Sequence, residues 1–365
     1  MSSASPETAE PAPSSGVNVD SRQTNHTAAP AASSTQAFDY ARSVGRSDAS
    51  VGLVVQWLES LADAVRATNG DSHSEGVSDV ARPFLSIVVR TRGERIQPLT
   101  DVLACLAGQT CTDFEVLVIA HRVGHQARKA IQRVISDEVL WLQKRIRLIE
   151  VTTGSRAKPL NTGFDAACGR YVAILDDDDL PLANWVDIFR RGASERPGMV
   201  VRSTVLRQNV SGVRVARFDG VQPVGPLERQ YPAEFDLVAH FLDNHTPCMA
   251  VAFPREAFHS WRIRFDEEIT TAEDWDFLMR VAVKAGVHSV PDETAIYQWW
   301  VNRESSRTQH APDEWRRNYQ RIVDKLDSEW VVLPPGTTRT IRRLVEEHAQ
   351  LIRLLQKLSE KCSTS

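Results

Sequence analysis

Residues 171–181 read YVAILDDDDLP: a short apolar run, then four consecutive aspartates, Asp176, Asp177, Asp178 and Asp179. Carboxylates placed side by side cannot all stay ionised without raised pKa values or a cation. A hard divalent ion suits such oxygens, and Mg2+ or Mn2+ typically takes one or two carboxylates and completes its shell with phosphate oxygens. The run is therefore read as a metal site for a phosphate-bearing ligand, and the missing positive charge is expected from what binds there. Asp179, just ahead of Pro181, fits a helix cap instead, but one cap leaves Asp176 and Asp178 unexplained. A second acid pair, Glu273 and Asp274 in TTAEDWD, opens a helical stretch, where acids complement the helix dipole.

The elements around these acids follow one pattern. FLSIVV (84–89), FEVLVIA (114–120), IRLIEV (146–151) and YVAIL (171–175) are apolar runs of strand length, separated by helical PLTDVLACLAGQ (98–109), GHQARKAIQRVI (124–135) and PLNTGFDAAC (159–168). Strands apolar throughout that alternate with helices indicate a parallel sheet covered on both faces. Ligands of such sheets sit at the carboxyl ends of the strands, where the aspartates follow YVAIL. After residue 198 the pattern changes to shorter alternating strands in MVVRSTVLRQN and VRVARFDGV, whose arginines coat a hairpin. A helix around AEFDLVAHFL, a strand in CMAVAF, helical EDWDFLMRVAVKAG and a strand AIYQWWV follow.

Four regions are expected: a disordered Ser-, Ala- and Pro-rich tail (1–37), an amphipathic helix and linker (38–80), the main domain (81–310) and a helical extension (311–365). The first helix carries Leu53, Val54, Trp57, Leu58, Leu61, Ala64 and Val65 on one face. The last, 340–358, carries Ile341, Leu344, Val345, Ala349, Ile352, Leu355 and Leu358 at heptad-like spacing. These two helices are candidates for docking or for homo-oligomer contacts. The 365 residues are 42% hydrophobic and 25% charged with net charge -4, and no basic stripe suggests nucleic acid. No apolar run approaches the ~20 residues that span a bilayer. Five scattered cysteines, without CxxC spacing, fit neither a disulfide framework nor zinc, and a reducing cytosol is expected, with a location in the cytoplasm or at the membrane periphery.

SIVVRTRGER, LACLAGQTCTDFEVLVI, RAKPLNTGFDAACGRYVAILDDDDLP and FDEEITTAEDWDFLMRVA, in this order over residues 83–305, resemble the inverting family-2 glycosyltransferases. The resemblance implies an α/β GT-A nucleotide-diphospho-sugar transferase fold: a mostly parallel central sheet, helices on both faces and flanking helices. By likeness, Asp178 holds a Mg2+ or Mn2+ that bridges the donor diphosphate. Asp176 contacts ribose or metal, and Asp177 occupies the variable position beside the donor. Arg156 and Asn161 match the donor-side helix motif, and Thr91 and Arg92 lie where the base packs. Asp274 is the implied catalytic base, with Glu273 beside it. The implied activity moves a sugar from a nucleotide diphosphate to an acceptor hydroxyl, on a glycan, lipid, protein or small molecule, with inversion.

Two departures from that pattern stand out. Ala120, His121, Arg122 and Val123 offer no acid where the family often reads the base, and His121 is expected to be a solvated loop residue. Tyr297, Gln298, Trp299 and Trp300 replace a basic Tyr-Arg-x-His motif, with Arg303 and Arg307 as substitutes. Trp299 and Trp300 are expected at core and rim, one facing the cleft. His245 and Cys248 are read as a loop histidine and a buried thiol. A nucleotidyltransferase, and a degenerate domain that binds carbohydrate or a partner without turnover, are the competing readings.

Overall fold

Long apolar strands form the floor of the molecule because both their faces are covered. In the computed structural model, which describes residues 82–215, 218–301, 310–328, 331–333 and 336–363, β1 (Leu85–Thr91) is buried at every position except Arg90. β2 (Phe114–His121), β3 (Ile146–Val151) and β4 (Tyr171–Asp176) complete a parallel group ordered β3-β2-β1-β4. The chain divides into two units, Met1–Gly76 and Val77–Ser365. The expected tail and first amphipathic helix lie outside the described residues, as do Arg303 and Arg307.

The crossovers are helical, as the sequence pattern requires. α1 (Ile96–Ala107) buries Pro98, Leu99, Val102, Leu103 and Leu106, spaced to face the sheet. α2 (His125–Asp137) and the single turn α3 (Leu140–Gln143) connect β2 to β3, and α4 (Ala157–Ala166) connects β3 to β4. A two-residue strand β5 (Leu180–Pro181) follows β4, and then α5 (Trp185–Glu195). The helix expected to start near Pro181 therefore starts four residues later, because Leu180 and Pro181 pair with a distant strand.

The second half extends the same sheet. β6 (Val200–Val215) and β7 (Phe218–Glu228) form the expected hairpin, but β6 is one continuous strand of 16 residues. After α6 (Leu237–Leu242) and a 3-10 turn (Cys248–Ala250), β8 (Val251–Pro254) runs antiparallel between β4 and β6. α7 (Arg255–His259) and α8 (Glu273–Ala285) lead to β9 (Val287–Trp300), which pairs parallel with β6 and antiparallel with β5. AIYQWW is thus the end of a 14-residue strand whose length is set by its partner β6. Among the described residues the strands form a nine-stranded mixed sheet, parallel on the β3-to-β4 side.

Two features place α8, which carries the second acid pair. Phe164, Phe253, Phe258, Phe265 and Phe277 form an aromatic cluster, with Phe265 and Phe277 stacked at 4.0 Å, and it locks α8 against α4 and β8. Trp275 is fully buried and its Nε1 donates to the His240 carbonyl at 3.0 Å. A smaller core of Leu237, Ile269, Trp275, Met279, Ile322 and Leu326 seats α9 (Pro312–Ser328) on the outer side of α8. α10 (Thr337–Ser363) encloses the expected 340–358 helix, and its Val345, Leu351, Leu354 and Leu355 are more than half exposed. Among the described residues, no helix is long and apolar enough to cross a membrane.

The turn into β4 depends on close backbone approach. A Cβ on Gly169 would sit 2.5 Å from the Ser86 amide nitrogen and 2.8 Å from the Leu85 carbonyl carbon. Backbone atoms of a central strand cannot yield as a flexible side chain can. Gly169→Ala is expected to lower stability by about 1–3 kcal/mol, the usual range for overpacking. Urea denaturation checks this, and a midpoint unchanged from the parent would contradict it.

Candidate active site

The site is built at the carboxyl edge of β1 and β4. Their parallel register sets Arg90 beside Asp176, and the Arg90 guanidinium meets that carboxylate at 2.9 Å through Nη2. Nη1 of the same side chain donates to Glu273 Oε1 at 2.8 Å and to the Arg156 carbonyl at 3.2 Å. Arg156 Nε reaches the same Glu273 oxygen at 3.1 Å. One arginine therefore ties together β1, the end of β4, the residue preceding α4 and the first turn of α8.

The neighbouring acids of α8 sit in opposite environments. Burial raises the pKa of Glu273, but Arg156 and Arg90 outweigh it and hold the carboxyl down at about 2. Asp274 has no such partner. Burial, reinforced by the Glu273 charge, pushes it up to about 6, against the pull of the Trp275 amide, which donates to Oδ1 at 2.9 Å, and of Arg156. Two adjacent carboxyls are thus driven in opposite directions, one held as an anion and one raised towards neutral pH.

Each aspartate of the run also has its own partner. Thr91 Oγ1 donates to Asp177 Oδ2 at 2.5 Å and accepts from the Gly93 amide at 3.0 Å. Arg95 Nη2 meets Asp177 Oδ1 at 2.9 Å, and its Nη1 bonds Asp178 Oδ2. Trp300 Nε1 donates to that Asp178 oxygen at 2.8 Å, with the Arg95 guanidinium over the indole ring. Asp179, 1% exposed, accepts from the Gln298 backbone amide at 3.1 Å. It fastens the run to β9 and does not cap a helix, which corrects the sequence expectation. Burial raises the pKa of Asp177, to about 7, and of Asp178, in both cases against Arg95. The expectation that a bound ligand must supply all the positive charge is corrected as well: Arg90 and Arg95 supply part of it from the chain.

The other sequence candidates divide. Thr91, Arg156, Asp176, Asp177 and Asp178 converge with Glu273 and Asp274. Arg92 does not join them: it is 64% exposed and pairs with Glu94. Asn161 is buried, but its amide donates to the Phe265 carbonyl and to Glu267 Oε1, both at 3.0 Å, and its Oδ1 accepts from the Phe265 amide. It braces the segment leading to α8 with a side chain already fully engaged. His121 is buried at the end of β2, not solvated, and burial lowers its pKa. Trp300 is the tryptophan turned to the acids, while Trp299 lies under the Arg207 guanidinium at 3.8 Å. The converging arginines, Arg90 and Arg95, were missed as site residues. The signal was present in RTRGER, where Arg90 precedes Thr91 within the strand and Arg95 immediately precedes α1.

Two carboxylates and a thiol come close enough to share a cation. Carboxylate oxygens of Asp176 and Asp179 and the Cys248 sulfur lie within 4.8 Å of one another. Asp178, the ligand implied by resemblance, is turned instead to Arg95 and Trp300. Beside Arg95 opens a cleft of about 230 Å3, with Gln97, Arg214, Val221 and Trp300 in its walls.

Residues 86–254 match the family model described as Glycosyl transferase family 2. An uncharacterized glycosyltransferase of Methanocaldococcus jannaschii is 23% identical over 208 residues, 56% of this chain and 66% of that protein. The amylovoran biosynthesis glycosyltransferase AmsB of Erwinia amylovora is 28% identical over 190 residues, 50% of this chain and 59% of that protein. The chain thus spans less than two thirds of either relative's length. Among solved structures, the Staphylococcus aureus TarS fragment 1–349 with UDP-GlcNAc aligns over 66% of this chain and 65% of its own, with TM-score 0.49 and 19% identity. The Pyrobaculum calidifontis mannosyltransferase PcManGT with GDP-Man and Mn2+ aligns over 78% of this chain and 77% of its own, with TM-score 0.49 and 16% identity. The residues that match the family model hold the parallel β3-β2-β1-β4 group, its antiparallel extension and the acids at the edge of β4, the mixed α/β arrangement of a GT-A fold.

Proposed function

We propose that this domain transfers a sugar from a nucleotide diphosphate to an acceptor hydroxyl, with inversion at the anomeric carbon and assistance from a divalent ion. The observation that carries this reading is the pairing of Glu273, held low by Arg156 and Arg90, with Asp274, raised by burial, in a helix turn that Arg90 ties to Asp176 of the acidic run. Asp274, with a pKa of about 6, takes the proton of the acceptor hydroxyl as that oxygen attacks the anomeric carbon. The bond from that carbon to the diphosphate oxygen breaks, and its electron pair leaves with the diphosphate. Attack from the face opposite the leaving group inverts the centre.

Thr91, Asp176 and Asp177, grouped at the carboxyl edge of β1 and β4, would face the donor. Arg90, Arg156 and Arg95 place positive charge near the departing group, where it opposes the developing negative charge. Asp176 and Asp178 would hold Mg2+ or Mn2+, with Asp179 and Cys248 close to the former, and such an ion would supply positive charge against the departing diphosphate. Asn161 supports the site through the 265–267 segment. Glu273 is a positioning residue that keeps Arg90 and Arg156 in place.

Asp274→Asn is expected to cut release of nucleoside diphosphate from a turned-over nucleotide sugar by ~10²–10⁴-fold. The parent rate should rise with pH to a half-maximum near pH 6, since the carboxyl must be ionised to accept a proton. The same shift has a stability sign. A folded-state pKa above 3.8 means the folded protein binds more protons in this window, so the contribution from Asp274 falls as pH rises towards 6. A rate independent of pH between 5 and 8, or an active Asp274→Asn, would remove Asp274 from the role.

Glu273→Gln should behave differently, because it leaves Arg156 without its carboxylate and Arg90 with Asp176 alone, and is expected to cost about 1–3 kcal/mol of stability. A thermal or urea melt indistinguishable from the parent would show that the Arg90–Glu273–Arg156 cluster is not the tie described here. For the donor, a nucleoside diphosphate at a hundredfold excess over its dissociation constant, with Mn2+, should stabilise the fold by ~2.7 kcal/mol. If a panel of common nucleoside diphosphates, with and without Mn2+, leaves the melting temperature unmoved, the transferase reading fails.

A further inference from the structure

Arg90 and Arg95 both neutralise the acidic run, but they are anchored differently. Arg90 is 13% exposed and held by Asp176, by Glu273 and by the Arg156 carbonyl, so releasing it would unpick two strands and a helix. Arg95 is 31% exposed, and its guanidinium contacts are Asp177, Asp178 and the face of Trp300. No backbone group is among its hydrogen-bond partners in the described residues. It follows the short loop Arg92–Glu94, in which Gly93 has a φ of +66°, and it borders the open cleft.

We propose that Arg95 is an exchangeable internal counter-cation: it holds Asp177 and Asp178 in place until a divalent ion takes Asp178, and the two compete for the same carboxylate oxygen. The inference rests on the reading above that a divalent ion works at the acidic run. A guanidinium and a metal ion cannot share Asp178 Oδ2 without strong repulsion at contact distance. Asp177 keeps Thr91 as a partner when Arg95 leaves, and Asp178 keeps Trp300, so neither acid is stranded during the exchange. Such an arrangement keeps the run folded at low metal and makes ion binding depend on the displacement of one side chain.

The test is direct Mn2+ binding to the full chain, without nucleotide, by titration calorimetry. Arg95→Met removes the competing charge at nearly constant volume and should bind Mn2+ at least about tenfold more tightly than the parent, the scale on which one contacting charge shifts a carboxylate equilibrium. Arg95→Lys keeps the charge and should gain less. Arg190→Met changes the formal charge equally, at the exposed pair with Asp187 on α5, and should leave Mn2+ affinity within about twofold because exposed charges are screened. Adding Asp178→Asn to Arg95→Met should abolish the gain. Melting curves establish that each variant is folded.

Equal Mn2+ affinity in the parent and Arg95→Met overturns the exchange while leaving the metal-assisted reading intact. An equal gain in Arg95→Met and Arg190→Met also overturns it, since that is a net-charge effect. No Mn2+ binding by any variant overturns both the exchange and the metal half of the proposed function.

Discussion

The buried contact between Arg90 and two carboxylates, Asp176 and Glu273, is the constraint on which the site depends. Charges of this kind are costly to remove from water, and they persist only when each is paired and further hydrogen-bonded. Here the requirement fixes geometry. Glu273 can satisfy both Arg90 and Arg156 only if the first turn of α8 arrives over the ends of β1 and β4. The left-handed backbone at Ala272 (φ 60°) and the aromatic cluster behind α8 deliver it there. The sheet offers the place, the phenylalanines offer the apolar area, and the ion cluster selects one orientation.

The same contact explains how a run of four aspartates can exist in a folded chain. The four are not equivalent. Asp176 answers Arg90 across the parallel register, Asp177 and Asp178 answer Arg95, and Asp179 turns inward to the β9 backbone. The chain turns at Asp177 and Asp178, with the Asp179 amide bonded to the Asp176 carbonyl, so the four acids meet different surroundings and do not all share one cation. Two guanidinium groups still leave the run with more negative than positive charge when its carboxyls are ionised. Burial first, and the neighbouring carboxylates after it, raise the pKa values of Asp177 and Asp178, so an added cation gains most there.

Much of the fold was legible because parallel strands covered on both faces are long apolar runs. FEVLVIA and IRLIEV could scarcely be read otherwise, and β2 and β3 lie where they predict. The failures occur where partner strands override local signals. Pro181 reads as a helix start until β9 pairs with it, and β6 gains its length from β9 and β7. In the site, residue types were legible but directions were not. RTRGER contains three arginines, and only the register of β1 and the start of α1 decide that Arg90 and Arg95 turn to the acids while Arg92 turns to solvent. Asn161 shows the converse: a polar residue at a matching position whose amide is consumed by the Phe265 backbone and Glu267. Its environment lies a hundred residues away in sequence, beyond the reach of any local pattern.

The pairing of Glu273 with Asp274 sets two neighbouring acids in opposite electrostatic environments. The basicity of Asp274 is owed first to burial and next to the negative charge of Glu273. That charge is secured by Arg90 and Arg156, so the arginines act on Asp274 chiefly through Glu273. Their direct attraction would lower its pKa, whereas the anion they hold in place raises it. A single carboxyl beside the same arginines would be pulled down as Glu273 is, and would make a poor proton acceptor near neutral pH. Placing two acids in one helical turn, with the arginines paired only to the first, leaves one carboxyl a fixed anion and gives its neighbour a raised pKa.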